Sequence, residues 1–381
     1  MGNLPKDYQK PLRSERAARR LTFFSVNRIL PSLKFANISM KRIFTQPRLL
    51  VFACAWMLAI SSAQAQIDRV YDMKGDNVSG AVLEGTKDGV RLDKAGVTKA
   101  FKAGEITKIM FEGDPPQLTK ARAFALGGQY DQALAELKKV KVNTINRDLI
   151  KQDVAFYYAL CEARLALSGQ GKIDDAVRRM LDFATRYQNS WHFYESAKLL
   201  GDLALASNKS EQALKFYGTL EKAPAEATKI EAKYLQGLVR LKMKQGAAAV
   251  ADFDQILGLK SQTTQIVRLQ TLSKAGKAVA LALQGNGDQA NELTNTLIAE
   301  MNAADVEIAA RIYNARGASC EARDDLEGAI MAYLHTHLMF SSQPDAHAEA
   351  LKRLVELWPK VGKPERAAQA RQELQNRYPG F

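Results

Sequence analysis

The chain has 381 residues, of which 46% are hydrophobic and 25% charged, ample apolar material for a large buried core, so a disordered chain is excluded. Its formal net charge of +13 invites a nucleic-acid reading, but residues 1–65 hold 11 Lys/Arg against 2 Asp/Glu, which leaves 43 against 39 and a net of only +4 for the remainder. Whatever folds after the leader has a mixed-sign surface, which weakens bulk attraction to phosphate as its mode of binding.

Residues 1–39 read as a long basic leader or as the product of a start assigned too early, and Met40 is the expected start. Residues 40–65 read as a secretory signal peptide. Lys41, Arg42 and Arg48 form its basic start, Leu49 to Ile60 a 12-residue apolar stretch, and Ala63-Gln64-Ala65 a small-x-small cleavage site. Cleavage after Ala65 would leave Gln66 or Ile67 first. The apolar stretch falls short of the roughly 20 residues of a membrane-spanning helix, so membrane contact is expected only through an uncleaved leader. Val51-Phe52-Ala53-Cys54 loosely resembles a lipoprotein processing box, but Phe52 is bulky where that box takes small residues, and the apolar run continues through Trp56 and Leu58. The mature chain would keep Cys161 and Cys320, expected as buried free thiols.

From residue 67 to 113 short alternating apolar segments are cut by glycine-bearing turns, a strand pattern. The predicted strands are Val70 to Met73, Val78 to Leu83, Val90 to Leu92, Val97 to Phe101 and Ile106 to Phe111. Five short strands must curl into a small barrel or pack on helices to bury one face. In strand number and turn placement this small all-β module resembles SH3-like and Sm-like barrels. Asp114-Pro115-Pro116 then ends the last strand and starts the helices.

From 114 to 381 a turn residue followed five places later by a small apolar residue recurs about every forty residues. The instances are Gly128 to Ala133, Gly171 to Ala176, Asn208 to Ala213, Gln245 to Val250, Gly285 to Ala290, Asp324 to Ala329 and Gly362 to Ala367. A period of this size marks stacked helical hairpins. Seven units are predicted, their second helices beginning near Asp131, Lys172, Ser210, Ala247, Asp288, Asp325 and Pro364. Seven places past each small residue lie Val140, Phe183, Leu220, Leu257, Leu297, Thr336 and Leu374, a mostly apolar stripe. Twelve places before it lie Ala121, Arg164, Gly201, Leu238, Ala278, Gly317 and Val355, of which the Gly and Ala residues would let paired helices approach closely.

At these residues the chain resembles the tetratricopeptide repeat (TPR) family. The last unit carries the fullest pattern, with Leu351, Leu354, Trp358, Gly362, Ala367 and a closing Tyr378-Pro379. The third has Leu200-Gly201, Ala213 and Tyr217, and the sixth Tyr313, Gly317, Ala329 and Tyr333. The period exceeds the family's ~34 residues, Arg164 and Leu238 stand where a small residue is expected, and Pro359 sits late in a first helix. The resemblance implies a mainly α fold: a TPR-like α-solenoid of about seven helical hairpins with an irregular superhelix. Tyr187-Gln188-Asn189-Ser190 and Tyr378-Pro379-Gly380 add a similarity to exported envelope members of the family, which assist outer-membrane assembly and Tol-Pal coordination.

No catalytic site, cofactor or metal is expected. His335 and His337 are two apart and point about 200 degrees from each other on a helix, His347 lies beyond Pro344, and His192 is in another repeat. No metal-binding, phosphate-cradling or nucleophile-elbow motif is present. Asp174-Asp175 and Asp324-Asp325 open second helices, where they complement the helix dipole. Phe156, Tyr157, Tyr158, Trp191, Phe193 and Tyr194 are expected mainly in packing, and Lys138, Lys139 and Lys141 on a solvated face of a second helix.

If the superhelix follows the family, the first helices line its concave surface. Counting back 18, 15 and 11 places from Ala213 gives Glu195, Lys198 and Asp202; the same count gives Arg311 and Asn314 from Ala329, and Glu349, Lys352 and Glu356 from Ala367. These rows are the predicted partner-binding groove, suited to an extended or helical peptide. The expectation is an exported, non-enzymatic scaffold that docks protein or peptide partners in the periplasm or cell envelope. Its rivals are a nucleic-acid binder built on an Sm-like module and a subunit of an envelope enzyme. The enzyme reading would require ionisable residues converging in a pocket between the β module and the first repeats.

Overall fold

The computed structural model describes residues 67–261 and 263–378; the leader, the signal peptide with its cleavage site, Cys54 and the closing Pro379-Gly380 lie outside them. All five predicted strands form, as β1 (Asp68–Asp72), β2 (Asn77–Thr86), β3 (Gly89–Lys94), β4 (Val97–Lys102) and β5 (Ile106–Met110). They make one sheet of order β4-β3-β2-β1-β5 with every neighbouring pair antiparallel. β2 serves both halves. Asn77 to Gly80 pair with β1, Ala81 to Thr86 pair with β3, and a register shift between Val82 and Glu84 bends the strand from one partner to the other.

Among the described residues β4 and β5 do not pair, so the sheet buries its apolar face against helices rather than by closing on itself. Val70, Val82, Val90, Leu92, Ile109 and Phe111 belong to the same core cluster as Leu118, Ala121, Val154, Phe156 and Tyr157 of the first helices.

Among the described residues fourteen helices follow, paired into seven hairpins. They are α1 (Pro116–Leu126) and α2 (Tyr130–Leu137), α3 (Asp148–Leu167) and α4 (Ile173–Arg186), α5 (Phe193–Ala206) and α6 (Ser210–Thr219), α7 (Glu226–Lys242) and α8 (Gly246–Leu257), α9 (Thr264–Leu283) and α10 (Gly287–Glu300), α11 (Val306–Glu321) and α12 (Leu326–Met339), and α13 (Pro344–Leu357) and α14 (Pro364–Arg377). Each helix packs on the next, and first helices also pack on first helices of neighbouring units; between the third and fourth units the 3-10 turn Leu220–Lys222 makes that contact with α7. Helices α3 and α9 run to 20 residues, which lengthens the period. Pro359 does not kink α13, which stops at Leu357 and hands over to the 3-10 turn Trp358–Val361. Cys161 and Cys320 are buried free thiols.

The repeating turn has a definite backbone cause. Gly128, Asn208, Lys244, Gly285, Asp324 and Gly362 all adopt positive φ, between 57° and 82°. Each is followed five places on by a buried alanine: Ala133, Ala213, Ala249, Ala290, Ala329 and Ala367. This corrects the fourth unit, where the turn is Lys244 and the small residue Ala249, one place before Gln245 and Val250. In the second unit the left-handed residue is Gly169, at φ 80°, not Gly171, and the loop to Ala176 is two residues longer.

With the register corrected, the small residue opposite the fourth alanine is Gly237 rather than Leu238, and beside Arg164 the fully buried residue is Ala163. The reason for small residues is a ring. A Cβ on Gly201 would stand 2.3 Å from Tyr217, one on Gly237 2.6 Å from Phe253, and one on Gly317 2.5 Å from Tyr333. Phe253 is gripped from its other side too, since a Cβ on Gly276 of the next unit would lie 2.5 Å from it.

Filling that space should displace a buried ring. Gly237→Ala or Gly276→Ala is expected to destabilise the protein by about 1–3 kcal/mol, and Phe253→Leu in the same chain to relieve part of the clash. Lys244→Gly should act oppositely, raising stability by ~1 kcal/mol because a lysine side chain is strained at positive φ. Thermal melts of the three variants would check both signs; a neutral Gly237→Ala would show that the hairpins do not need the close approach.

Candidate functional site

The β module is fixed to the repeats by buried charge. Asp68 of β1 accepts hydrogen bonds from the backbone N–H of Val82 (2.7 Å) and Glu112 (2.8 Å) and from both terminal nitrogens of Arg147 (2.7 and 2.8 Å). Arg147 also lies over the Phe111 ring, 4.8 Å from its centroid. Beside it Arg122 of α1 donates to Asp153 of α3 at 2.9 Å and to Asp114 at 3.0 Å. Asp153 in turn is bonded to His192 Nε2 at 3.0 Å, and the His192 ring stacks on Phe156 with centroids 3.7 Å apart.

These ionisable residues do converge between the β module and the first repeats, but no substrate can reach them. The side chains of Arg122, Asp153 and His192 are at most 1% exposed, and Asp114 is 5% exposed. The arrangement is a clamp. Burial alone would push Asp153 up, but Arg122 and His192 outweigh it and hold the carboxyl below its usual range. Burial likewise opposes a charged His192, yet its bond to Asp153 and the nearby Glu195 carboxylate leave it above the ordinary imidazole value.

The predicted groove residues fall on the first helices as expected, with Glu195, Lys198 and Asp202 on α5, Arg311 and Asn314 on α11, and Glu349, Lys352 and Glu356 on α13. Several of them bond to a neighbouring unit or within their own unit instead of standing free. Lys198 pairs with Glu231 of α7, Arg311 with Asp345 of α13, and Glu356 with Arg353. Asn314 donates its amide to the Ala346 carbonyl at 2.8 Å and to Glu349 at 3.3 Å. Asp202 accepts from the Tyr217 hydroxyl at 2.7 Å and lies 3.8 Å from Arg164. Arg268 bridges to Asp305 at 3.1 Å and Glu307 at 2.7 Å, beside an open cavity of about 530 Å³.

Sequence reasoning missed Glu231, Asp345 and Arg268. Glu231 was within reach: counted back 18 places from Ala249 it is the fourth-unit equivalent of Glu195 and Glu349. The others are recognisable only by the partners they meet in the next unit.

Charges on these rows act on one another across several units. Asp345 in the seventh unit is close enough to Tyr217 in the third to help burial raise its pKa, and Tyr234 in the fourth, pushed up to about 12 chiefly by burial, also feels Arg311 and Asp345. Lys352 reaches Lys242 in the same way, adding to burial in lowering its pKa. Two buried atoms on these rows, Arg311 Nε and Asn314 Oδ1, have no hydrogen-bond partner among the described residues. Burial raises Glu349 against the pull of Arg311 and Asn314.

Other predicted residues are structural. Phe156, Tyr157, Trp191 and Tyr194 are buried, as packing demands. Asp325 is a true cap, accepting from the Gly328 N–H at 2.8 Å, whereas Asp174 and Asp175 lie in the first turn of α4. The lysine run is not on a second helix, because α2 ends at Leu137 and Lys138, Lys139 and Lys141 follow it. The histidine spacing misled in one respect: His335 stacks on Tyr313, but His337 meets His347, with Nδ1 to Nε2 at 2.9 Å.

No protein-family model matches the chain, and no curated protein does. Among solved structures it is similar to a tetratricopeptide repeat protein from Parabacteroides merdae, 19% identical with a TM-score of 0.50 over 69% of this chain and 92% of that one. It is also similar to the apo form of the quorum sensor NprR from B. thuringiensis (12% identical, TM-score 0.43, 68% of this chain and 86% of that one). A third is the Rap conjugation gene regulator of the plasmid pLS20 in complex with the Phr* peptide (12%, TM-score 0.38, 68% and 95%). The helical part is a TPR-like α-solenoid; the likeness is one of fold.

The clamp predicts a pH dependence. A histidine whose folded pKa is raised gives stability that is full below its unfolded value near 6.5 and is lost as pH rises through the folded value. Melting temperature is therefore expected to fall as pH rises from about 6.5, and His192→Gln to flatten that slope. Asp153→Asn should destabilise by about 3–5 kcal/mol, since it strips a buried guanidinium of its partner. A wild-type melting temperature constant over that range would refute the His192 assignment.

Proposed function

We propose that the chain is an exported, non-enzymatic scaffold that holds an extended segment of a partner protein in the concave groove of its solenoid, within the cell envelope. The observation that carries this reading is a pair of exposed lysines on two first helices, Lys242 of α7 and Lys352 of α13, near enough that Lys352 adds to burial in lowering the Lys242 pKa. A carboxylate between them would relieve that repulsion. The partner's chemistry is thus an extended peptide with an acidic residue. Export rests on the basic start, apolar stretch and small-x-small site between Met40 and Ala65.

Co-purification from the envelope fraction, read by mass spectrometry, should return a partner. Lys352→Glu should weaken it at least tenfold, or ~1.4 kcal/mol, while Lys215→Glu on the exposed side of α6 should not. Unchanged capture by Lys352→Glu would remove the groove reading. N-terminal sequencing of the mature protein is expected to begin at Gln66 or Ile67, and a mature chain starting before Met40 would defeat the export reading.

A further inference from the structure

His337 of α12, His347 of α13 and Glu373 of α14 come from three different helices and meet at one point beside the last hairpin. One donor atom from each lies within 4.8 Å of the others. His337 Nδ1 is 2.9 Å from His347 Nε2, and the Glu373 carboxylate is 3.8 Å from His337 Nε2 and 3.9 Å from His347 Nε2. Donors around a tetrahedral ion at ~2.0–2.1 Å stand roughly 3.3–3.4 Å apart. His337 meets His347 through Nδ1 and Glu373 through Nε2, and whichever one of these nitrogens serves an ion, the three donors start within 4.8 Å of one another.

His347 is prepared for such a role. Its Nδ1 is hydrogen-bonded to the Tyr378 hydroxyl at 2.8 Å, and in the tautomer in which the ring donates there its Nε2 lone pair faces the cluster. Metal-ligating histidines are held by an outer hydrogen bond of this kind. Glu373 also pairs with Arg377 at 3.2 Å, a contact that a metal would have to share.

We infer that His337, His347 and Glu373 form a site for a borderline-soft divalent transition metal such as Zn²⁺, which ties the last three helices together. Two imidazoles and one carboxylate suit such an ion and not Ca²⁺ or Mg²⁺, which take oxygen donors. Three protein donors leave a fourth position for water or for a side chain of a partner. The site stands apart from the groove reading and does not depend on it.

The test uses untagged protein stripped with chelator. Titration with Zn²⁺ should show one ion per chain by calorimetry and a melting temperature that climbs with zinc concentration, and Co²⁺ should give visible d–d absorption. His337→Gln and Glu373→Gln should each weaken binding at least tenfold, Tyr378→Phe by about tenfold, and His335→Gln not at all. His337 is partly exposed, so His337→Gln should melt like the metal-free wild type, which separates lost binding from lost fold. A wild type that neither retains zinc nor shifts its melting temperature would overturn the site, as would His337→Gln binding zinc as tightly as wild type does.

Discussion

The solenoid depends on one steric constraint: an aromatic ring from a second helix occupies the space where the facing first helix would carry a Cβ. At Tyr217, Phe253 and Tyr333 the facing residue is glycine, so the axes approach until ring meets backbone. That approach is possible only if the turn delivers the second helix at a fixed distance and angle. A left-handed residue followed five places on by a buried alanine does so in six of the seven hairpins, with a longer loop after Gly169 in the other. Phe253 shows how the constraint spreads, because it sits between Gly237 of its own hairpin and Gly276 of the next. One ring then closes a hairpin and joins two units, and nearest-neighbour contacts of this kind are what hold a linear array together.

An array has two ends, and each exposes a face that interior units cover. At the front the β module supplies the cover, since the apolar face of its sheet and the first helices share one core. Apolar contact alone leaves the angle of such a module poorly defined. Asp68 with Arg147, and Asp114 with Arg122 and Asp153, define it by direction-specific bonds that are largely shielded from solvent. Buried ion pairs contribute little net stability because desolvation offsets their attraction, but breaking one is costly. The clamp therefore fixes where the module sits rather than how strongly it adheres. At the other end Trp358 and Tyr378 close the final core.

Which parts of this were legible in the sequence follows from the range of the interactions. Strands and hairpins were readable because their signals are local: glycine turns, period-two alternation, and an alanine five places after a turn. The fourth unit was read one place out because Lys244 holds the left-handed turn, and a lysine gives no sign of that conformation. The error carried forward, hiding Gly237 and Glu231 together. With the register corrected, two junctions share one bond: the residue 15 places before one alanine bonds the residue 18 places before the next, as Lys198 does to Glu231 and Asn314 to Glu349. The clamp was not readable, since Asp68 and Arg147 are 79 positions apart. Nor was the histidine meeting, because Pro344 does not merely interrupt a helix; it begins α13, whose first turn returns His347 to His337.

The rows chosen as a groove thus have two roles that constrain each other. Bonds between units hold the first helices in register, so Lys198, Arg311 and Asn314 cannot be given up to a ligand without loosening the superhelix. On the proposed reading a ligand must take what those bonds leave over, the exposed lysines Lys242 and Lys352. Opposite charges along the rows cancel at a distance, so long-range attraction is weak and recognition falls to short-range geometry. On that reading the groove selects by where charge falls along its length, and rings resting on glycines in the third, fourth and sixth hairpins help fix the spacing against which a partner would be measured.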